Sequence, residues 1–553
     1  MLRHGKYYDD ARRILQFLVT STDRGICARP VILEKLDISD SSASDVLHYM
    51  KDQGLIRIGK RSFNNVQSIE ITPKGRSEYD SMNIRGSVMP RAVKRYLLNK
   101  KRKPDRLFTI QKDFVERGLI ESSKNVCIFA YPGSGKTLAA EMAMVAELEK
   151  GGRALYCTPY KALDWQKYTD FENSFKILGA KILIADGDSP VSSEDLESAN
   201  IVIGTYERIM GAIRSKEKWL QNISLVCADE ITLFADDDRG AAIDTVLTYL
   251  RGSDRKRRII TMSSLVENTI EIAKWLDAEL IIDNRPAFAG PINESVMYRE
   301  DGKIIKWDRS GKRETVDGDD ALTEIIKNNL RSGKTTVVFE GTRDGTEYIA
   351  ESLAKLHQYD KKLEDEAMQF LSALKEKSSR VERLCRMIPY GIAYHHAGLQ
   401  KKVRRFVEDL VRQGKLKIVV ATTTLSHGVD YNIDSVVVIL SPAGILRDLH
   451  VYDYINLKGR TGRPGKSKHA DIYLLTGPRN AQSVFTKYFS SAPEPIRPLG
   501  TVGEENLSTL LLSYSYPKVD LTEIADFLNS SFCCFGKRVT MQELEAVAQR
   551  LSE

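Results

Sequence analysis

Asn125-Val-Cys-Ile-Phe-Ala-Tyr-Pro-Gly-Ser-Gly-Lys-Thr137 is the stretch on which the reading of this chain turns. Val126 to Ala130 is an apolar run that predicts a buried strand. It breaks into Pro132-Gly133-Ser134-Gly135, and a helix opens at Lys136-Thr137. Small residues let successive backbone N–H groups turn inward onto a phosphate, and the helix N-terminus adds partial positive charge. Lys136 has the reach for β- and γ-phosphates, and Thr137 carries a hydroxyl suited to Mg²⁺. The first position of the usual pattern is Ala130 rather than glycine.

A phosphate cradle alone hydrolyses nothing. Ser224-Leu-Val-Cys-Ala-Asp-Glu230 is a second apolar strand, and it ends in two acids. In isolation such a pair also fits a solvated loop. Behind a phosphate loop, the strand end puts Asp229 beside a metal and Glu230 beside an attacking water. Lys458-Gly-Arg-Thr-Gly-Arg-Pro-Gly465 sets two arginines three apart in a glycine-rich loop. Taken alone it is equally a basic surface loop. Next to a nucleotide, guanidinium forks match phosphate oxygens.

The 553 residues leave room for several domains. With 42% hydrophobic and 28% charged residues, the composition is that of a folded protein rather than a disordered one. No apolar run approaches the ~18 residues of a membrane span, and Met1-Leu-Arg-His-Gly-Lys6 has no apolar signal region. The seven cysteines have no CxxC spacing, so a reducing cytoplasm is the expected location. The net charge of +7 is uneven. Between Ile84 and Arg106, nine Lys/Arg face the single acid Asp105. That run reads either as a solvated linker or as a footprint for phosphate backbones through Lys100, Lys101, Arg102 and Lys103.

Four domains and a linker are expected. Residues 1–83 read as three helices and a two-stranded wing, 84–105 as a basic linker, and 106–283 and 284–480 as two blocks of alternating strands and helices. Residues 481–553 read as a small helical, winged-helix-like unit. The fold class is therefore α/β, with two tandem parallel-sheet domains flanked by smaller modules. Strands are expected near 126–130, 153–157, 181–184, 201–204, 224–228 and 258–262. In the second block they are expected near 335–339, 391–394, 417–421, 435–440 and 470–475, with a helical excursion over 346–387. The first module resembles the winged helix-turn-helix of many regulators. Its third helix is rich in Ser and Asp, with only His48 and Lys51 in support, so the wing residues Arg57, Lys60 and Arg61 are the better phosphate contacts. DNA contact and protein docking both remain open for this module.

Two α/β blocks with these motifs resemble the RecA-like core of superfamily 2 helicases. Phe108-Thr-Ile-Gln111, Thr158-Pro-Tyr-Lys-Ala-Leu163 and Gly204-Thr-Tyr-Glu-Arg208 carry the likeness in the first block. His395-His-Ala-Gly-Leu399, Ala421-Thr-Thr-Thr-Leu-Ser-His-Gly-Val-Asp430 and Gly459-Arg-Thr-Gly-Arg-Pro-Gly465 carry it in the second. The combination is similar to the Ski-type (superkiller) DExH branch, over about residues 106–535. The resemblance implies ATP and Mg²⁺, with Gln111 reading adenine, Lys136 and Thr137 holding phosphate and metal, and Asp229 and Glu230 placing metal and water. It implies that Gly428 and Asp430 touch the nucleotide from the second block, and that Arg460 and Arg463 act as fingers on closure. It puts Thr158, Lys161, Thr205, Thr342, Arg343, Thr422 and Thr423 along a single strand, DNA rather than RNA being favoured, with 3′-to-5′ movement.

Four departures stand against that pattern. The fourth letter of the DExH box is Thr232, the usual glutamine is Asn456, and the Ser-Ala-Thr motif reads Ser263-Ser-Leu265. Thr232 and Asn456 are expected to meet through a short bond or a water. The stretch after the second sheet is expected to be a shortened C-terminal region, and Asp434 to Tyr454 is short for a strand-separating hairpin. The expected function is an ATP-dependent helicase or translocase. The rival is a DNA-binding regulator that uses the core as a nucleotide-dependent switch.

Overall fold

The computed structural model describes residues 8–20, 26–36, 38–59, 68–72, 89–100, 107–186, 191–236, 239–252, 257–284, 292–354, 356–374, 376–422, 433–440, 449–459, 461, 470–490, 495–496, 521–535 and 539–552. They fall in two compact units. One comprises Met1–Ser122 with Glu141–Gly151 and Phe171–Ala180, and the other comprises Ser123–Ala140, Gly152–Asp170 and Lys181–Glu553.

In the first unit, helices Tyr8–Thr20, Arg29–Leu36 and Asp40–Asp52 pack on strands β1 (Ile26–Ala28), β2 (Ile56–Ile58) and β3 (Ser68–Ile71). The sheet order is β1-β3-β2, antiparallel throughout. Ala11, Ile14, Leu15 and Leu18 recur at helical spacing and meet Ile32, Val46, Leu47, Met50 and Ile69 in one core. This is the order of a winged helix-turn-helix, with β1 as a third strand that the sequence reading did not include. The expected basic linker contains a helix, Arg91–Asn99, with Val93, Tyr96 and Leu97 buried. Tyr96 donates to Glu141 Oε2 at 2.9 Å, Lys100 pairs with the same carboxylate, and the Tyr96 and Phe175 rings lie 4.9 Å apart.

The second unit holds two sheets. The first contains β4 (Asn125–Ala130), β5 (Ala154–Thr158), β6 (Ile182–Ala185), β7 (Ile201–Thr205), β8 (Leu225–Asp229), β9 (Arg258–Ser263) and β10 (Ala278–Asp283). All are parallel, in the order β10-β4-β9-β8-β5-β7-β6. Strands covered on both faces are apolar throughout, and β5 and β7 are buried along their whole length.

The second sheet contains β11 (Ile292–Glu300), β12 (Lys303–Asp308), β13 (Arg313–Val316), β14 (Thr336–Phe339), β15 (Ile392–His395), β16 (Ile418–Ala421), β17 (Ser435–Ile439) and β18 (Ala470–Leu475). Its order is β13-β12-β11-β18-β17-β14-β16-β15. The five strands expected in this block form its parallel part together with β11, which runs parallel to β18. β11 to β13 extend it as an antiparallel meander that the sequence reading did not anticipate. Helices Arg343–Ala354, Lys361–Ala373 and Ser379–Met387 make the expected excursion.

Helices Leu521–Ser530 and Met541–Ser552 follow. The turn after the first of them is bound to helix Gly240–Gly252. Asp244 accepts from the Phe532 and Cys533 amides at 2.8 and 2.9 Å, and Arg251 donates to the Ser530 carbonyl at 2.7 Å. Phe532 packs 5.3 Å from Phe234 and 5.2 Å from Trp275, contacts worth about 0.5–1.5 kcal/mol each beyond burial. Among the described residues no helix is long and apolar enough to cross a membrane.

Candidate functional site

The phosphate loop begins where β4 ends. Val126 to Ala130 are fully buried, so the strand fixes where the chain emerges. Gly133 and Gly135 then take φ of +80° and +83°, values that side chains with a Cβ rarely adopt. Helix Lys136–Glu149 starts directly after this turn. Lys136 Nζ reaches back to the carbonyls of Ala130 and Tyr131, at 2.7 and 3.2 Å. Burial pushes its ammonium below the ordinary value, against the opposing pull of Glu230 and Asp229. Ser134 is buried, and its hydroxyl has no hydrogen-bond partner. A buried hydroxyl without a partner at the start of a helix is what a phosphate oxygen would satisfy.

Asp229 closes β8, and Glu230 follows in the left-handed region at φ +53°, ψ +49°. That conformation is strained for a residue with a Cβ and swings the chain sharply off the strand. The Glu230 amide donates to Asp229 Oδ1 at 3.1 Å. Tyr156 donates to Asp229 Oδ2 at 2.6 Å, and Tyr206 donates to the Asp229 carbonyl at 2.8 Å. Burial first, and then the Asp229 charge, hold the Tyr156 hydroxyl well above its ordinary value, so it stays a donor. Lys167 Nζ donates to Thr137 Oγ1 at 3.1 Å and lies 3.6 Å from Asp229 Oδ2. One cation thus already sits between the two oxygens expected to hold a metal. A hydroxyl and a carboxylate suit a hard cation such as Mg²⁺. Among the described residues no group of three or more His, Cys, Asp and Glu forms a protein-only metal cage.

Tyr156, Tyr206 and Lys167 were not anticipated as part of this cluster. A tyrosine in an otherwise apolar strand was a usable signal, because a buried phenol needs a polar partner. Lys167 carries no such signal, since only the fold brings it to Thr137.

Among the described residues, two contacts between the sheets lie close to the phosphate loop and the acid-bearing turn. A Cβ on Gly459 would lie 2.2 Å from Pro132 Cβ, so only glycine lets the arginine-bearing loop approach the phosphate loop so closely. Ser264 Oγ donates to Asn456 Oδ1, and both residues are buried. This corrects the expected short bond between Thr232 and Asn456. The Thr232 amide instead donates to Ser263 Oγ at 3.0 Å. Successive residues leaving a strand face opposite ways, so Ser263 serves the acid-bearing turn and Ser264 serves the other sheet. The hydroxyl lost at Leu265 is supplied one position earlier. Close by, Glu294 gathers Lys458 (2.9 Å), Arg309 (2.5 Å) and Tyr454 (2.5 Å). Burial works to raise its carboxyl, but Lys458, Tyr454 and Arg309 together hold it below the ordinary range.

Gln111 belongs to the first unit, where it is buried and its carboxamide oxygen accepts from the Phe108 amide at 2.9 Å. Thr158 donates to Asp164 Oδ1 at 2.5 Å, and Thr205 caps its helix by accepting from the Arg208 amide at 3.3 Å. Lys161 pairs with Asp186 at 3.3 Å. Thr342 accepts from the Gly345 amide at 3.0 Å, and buried Thr422 donates its amide to the His395 carbonyl at 3.2 Å. Arg343 lies against the turn at Gly398, its Cδ 3.3 Å from where a Cβ would stand. Lys100 is engaged by Glu141, and Arg57 is exposed on the wing. His48, on the third helix, is bonded to its own backbone at Ser44. Lys60, Arg61, Lys101, Arg102, Lys103, Thr423, Gly428, Asp430, Arg460 and Arg463 lie outside the described residues.

Two families match the chain in tandem. The DEAD/DEAH box helicase family matches residues 108–271, and the helicase conserved C-terminal domain matches residues 319–465. The first match spans β4 to β9 and the second spans β14 to β17. Relatives named ATP-dependent DNA helicase Hel308 align over most of the chain. That of Caldivirga maquilingensis is 29% identical over 85% of this chain, that of Methanocella arvoryzae 30% over 76%, and that of Pyrobaculum calidifontis 30% over 80%. The chain spans 63%, 58% and 63% of those relatives' lengths. With both helicase domains matched in order, the chain carries a DEAD/DEAH box helicase domain followed by a helicase conserved C-terminal domain, and it is similar to the Hel308 DNA helicases.

Proposed function

We propose that this chain is an ATP-dependent nucleic-acid helicase or translocase acting on single-stranded or partly duplex DNA, with 3′-to-5′ movement. The observation that carries the reading is the convergence of Lys136, Thr137, Asp229 and Glu230 at the ends of β4 and β8, with Gly459 against the same loop. The turned-in amides and Lys136 bind the triphosphate of ATP. Thr137 and Asp229 hold Mg²⁺, which when bound neutralises phosphate charge. Glu230 takes the proton of the attacking water. Arg460 and Arg463, on the loop that Gly459 leads, meet the γ-phosphate and stabilise the charge that develops there. Gln111 reads adenine, and Gly428 and Asp430 contact the nucleotide from the second sheet. The names of the relatives support DNA as the strand and ATP as the fuel. The winged helix offers a second macromolecular contact, through DNA at Arg57 or through a protein partner. The free cysteines suit a cytoplasmic protein.

The test is ATP turnover with and without oligo-dT or oligo-U, in the parent and in Glu230→Gln. Stimulation of the parent by a strand is expected, with turnover lost and ATP binding retained in Glu230→Gln. Turnover at the parent rate in Glu230→Gln would remove Glu230 as the base. A parent indifferent to both strands would leave a nucleotide switch rather than a translocase.

A further inference from the structure

Trp165 stands apart from the other tryptophans. Trp219, Trp275 and Trp307 are at most 7% exposed, whereas Trp165 is 37% exposed. It sits on helix Lys161–Phe175, one residue after buried Asp164, and so points about 100° away from the buried face. The helix directly follows the Thr158-Pro-Tyr loop. Tyr168 meets the indole edge-on at 5.9 Å and steadies its plane. From the second sheet's side, Lys401 Nζ and the Arg405 guanidinium approach the indole at 5.5 and 5.6 Å from the ring centroid.

The helix that supplies those cations is itself unusual. Lys401–Arg412 buries Val403, Val407, Leu410 and Val411, and puts Lys401, Lys402, Arg404 and Arg405 in its first five positions. The N-terminal pole of a helix favours anions, so this charge opposes the helix that carries it. Among the described residues no carboxylate pairs with any of the four, whereas Arg412 at the far end pairs with both Glu408 and Asp409. The Nε of Arg404 is buried without a hydrogen-bond partner. Arg343 adds a further cation, at the turn that starts the helix. A partly exposed indole with uncompensated cations over its ring offers a surface on which a base stacks once those cations turn to the flanking phosphates.

We infer that Trp165 is a stacking platform for one base of a single strand, and that Lys401, Arg405 and their neighbours take the adjoining phosphates. The inference rests on the translocase reading and assigns it a base-contacting residue that none of its motifs contains. The platform lies where the surfaces of the two sheets approach, so opening and closing of the core alternately releases and grips the base.

Because Trp165 is the exposed tryptophan, intrinsic fluorescence reads the event directly. Titrating the parent with oligo-dT or oligo-U should quench emission, the more strongly quenching strand marking the preferred sugar. An oligomer carrying abasic sites, with phosphates but no bases, should bind without quenching. Trp165→Phe should keep affinity and lose the quench. Trp165→Ala should weaken binding roughly 5- to 150-fold, the range for one lost stack, with the salt dependence unchanged. Arg405→Gln should flatten the log–log salt slope by about 0.7 per phosphate released. Parent binding with no quench, or Trp165→Ala binding as tightly as the parent, would overturn the platform and leave the translocase reading standing. A parent that binds neither strand would overturn both.

Discussion

The two sheets of the second unit present opposite charge at comparable places. Where β8 of the first sheet ends, the chain sets down Asp229 and Glu230, with Tyr156, Tyr206 and Lys167 gathered round the first acid. Beyond β15 of the second sheet come Lys401, Lys402, Arg404 and Arg405, with no acid among the described residues to balance them. Phosphate chemistry needs both kinds of edge. Acids hold a metal and activate water, and cations neutralise the phosphate oxygens and the strand. Neither sheet is sufficient alone, which gives contacts between them such as Pro132 on Gly459 and Ser264 on Asn456 their importance.

The sharpest way to break the comparison is at the cationic loop. Arg463→Ala should lower the maximum rate of ATP hydrolysis by about 10³-fold or more if the second sheet's charge acts on the transition state. A near-normal rate with a raised ATP requirement would make it a ground-state contact instead, and the division of labour would fail at the nucleotide.

A second prediction concerns an acid of the first sheet that is not available as charge. Burial, only partly offset by the Thr158 hydrogen bond, pushes the Asp164 carboxyl up to about 7 from its ordinary 3.8. The folded state therefore binds this proton more tightly than the unfolded chain does. Its contribution to stability is full below pH ~4 and is lost as the pH rises towards 7, with a slope of at most about 1.4 kcal/mol per unit. Asp164→Asn accepts the same hydrogen bond without ionising and should remove that slope. Melting curves from pH 4 to 8 check this, and parallel slopes for variant and parent would refute it.

The smallest effect is expected at the seam. Ser264→Ala and Asn456→Ala should each reduce strand-stimulated ATPase, and a double-mutant cycle should return a coupling of about 1 kcal/mol. Thr232→Val and Asn456→Ala should add to within about 0.5 kcal/mol, because no bond joins them. The reverse pattern would restore the direct Thr232–Asn456 relay.

Most of the parallel strands were legible because burial on both faces leaves an apolar run between turn residues. The phosphate loop and acid pair were legible because their chemistry fixes residue types at short spacing. The β11 to β13 meander was missed although it carries its own sign. Asp301-Gly302 joins β11 to β12 as a two-residue turn with both φ angles positive, +48° and +77°, the signature of a tight hairpin. The helix at Arg91–Asn99 was missed because its charges dominate the reading, while its buried Val93, Tyr96 and Leu97 occupy only one face.

The sequence by itself determined the α/β class with its two sheet-bearing blocks, most of their strands, and the likeness to helicases. Each of these rests on local spacing, which the chain carries wherever it folds. Only the tertiary structure decided which hydroxyl reaches Asn456, that Lys167 stands between Thr137 and Asp229, and that Trp165 faces the cations of another sheet. These pairs lie from 30 to 240 residues apart in sequence. No periodicity encodes such distances, because they are set by how sheets twist and helices pack.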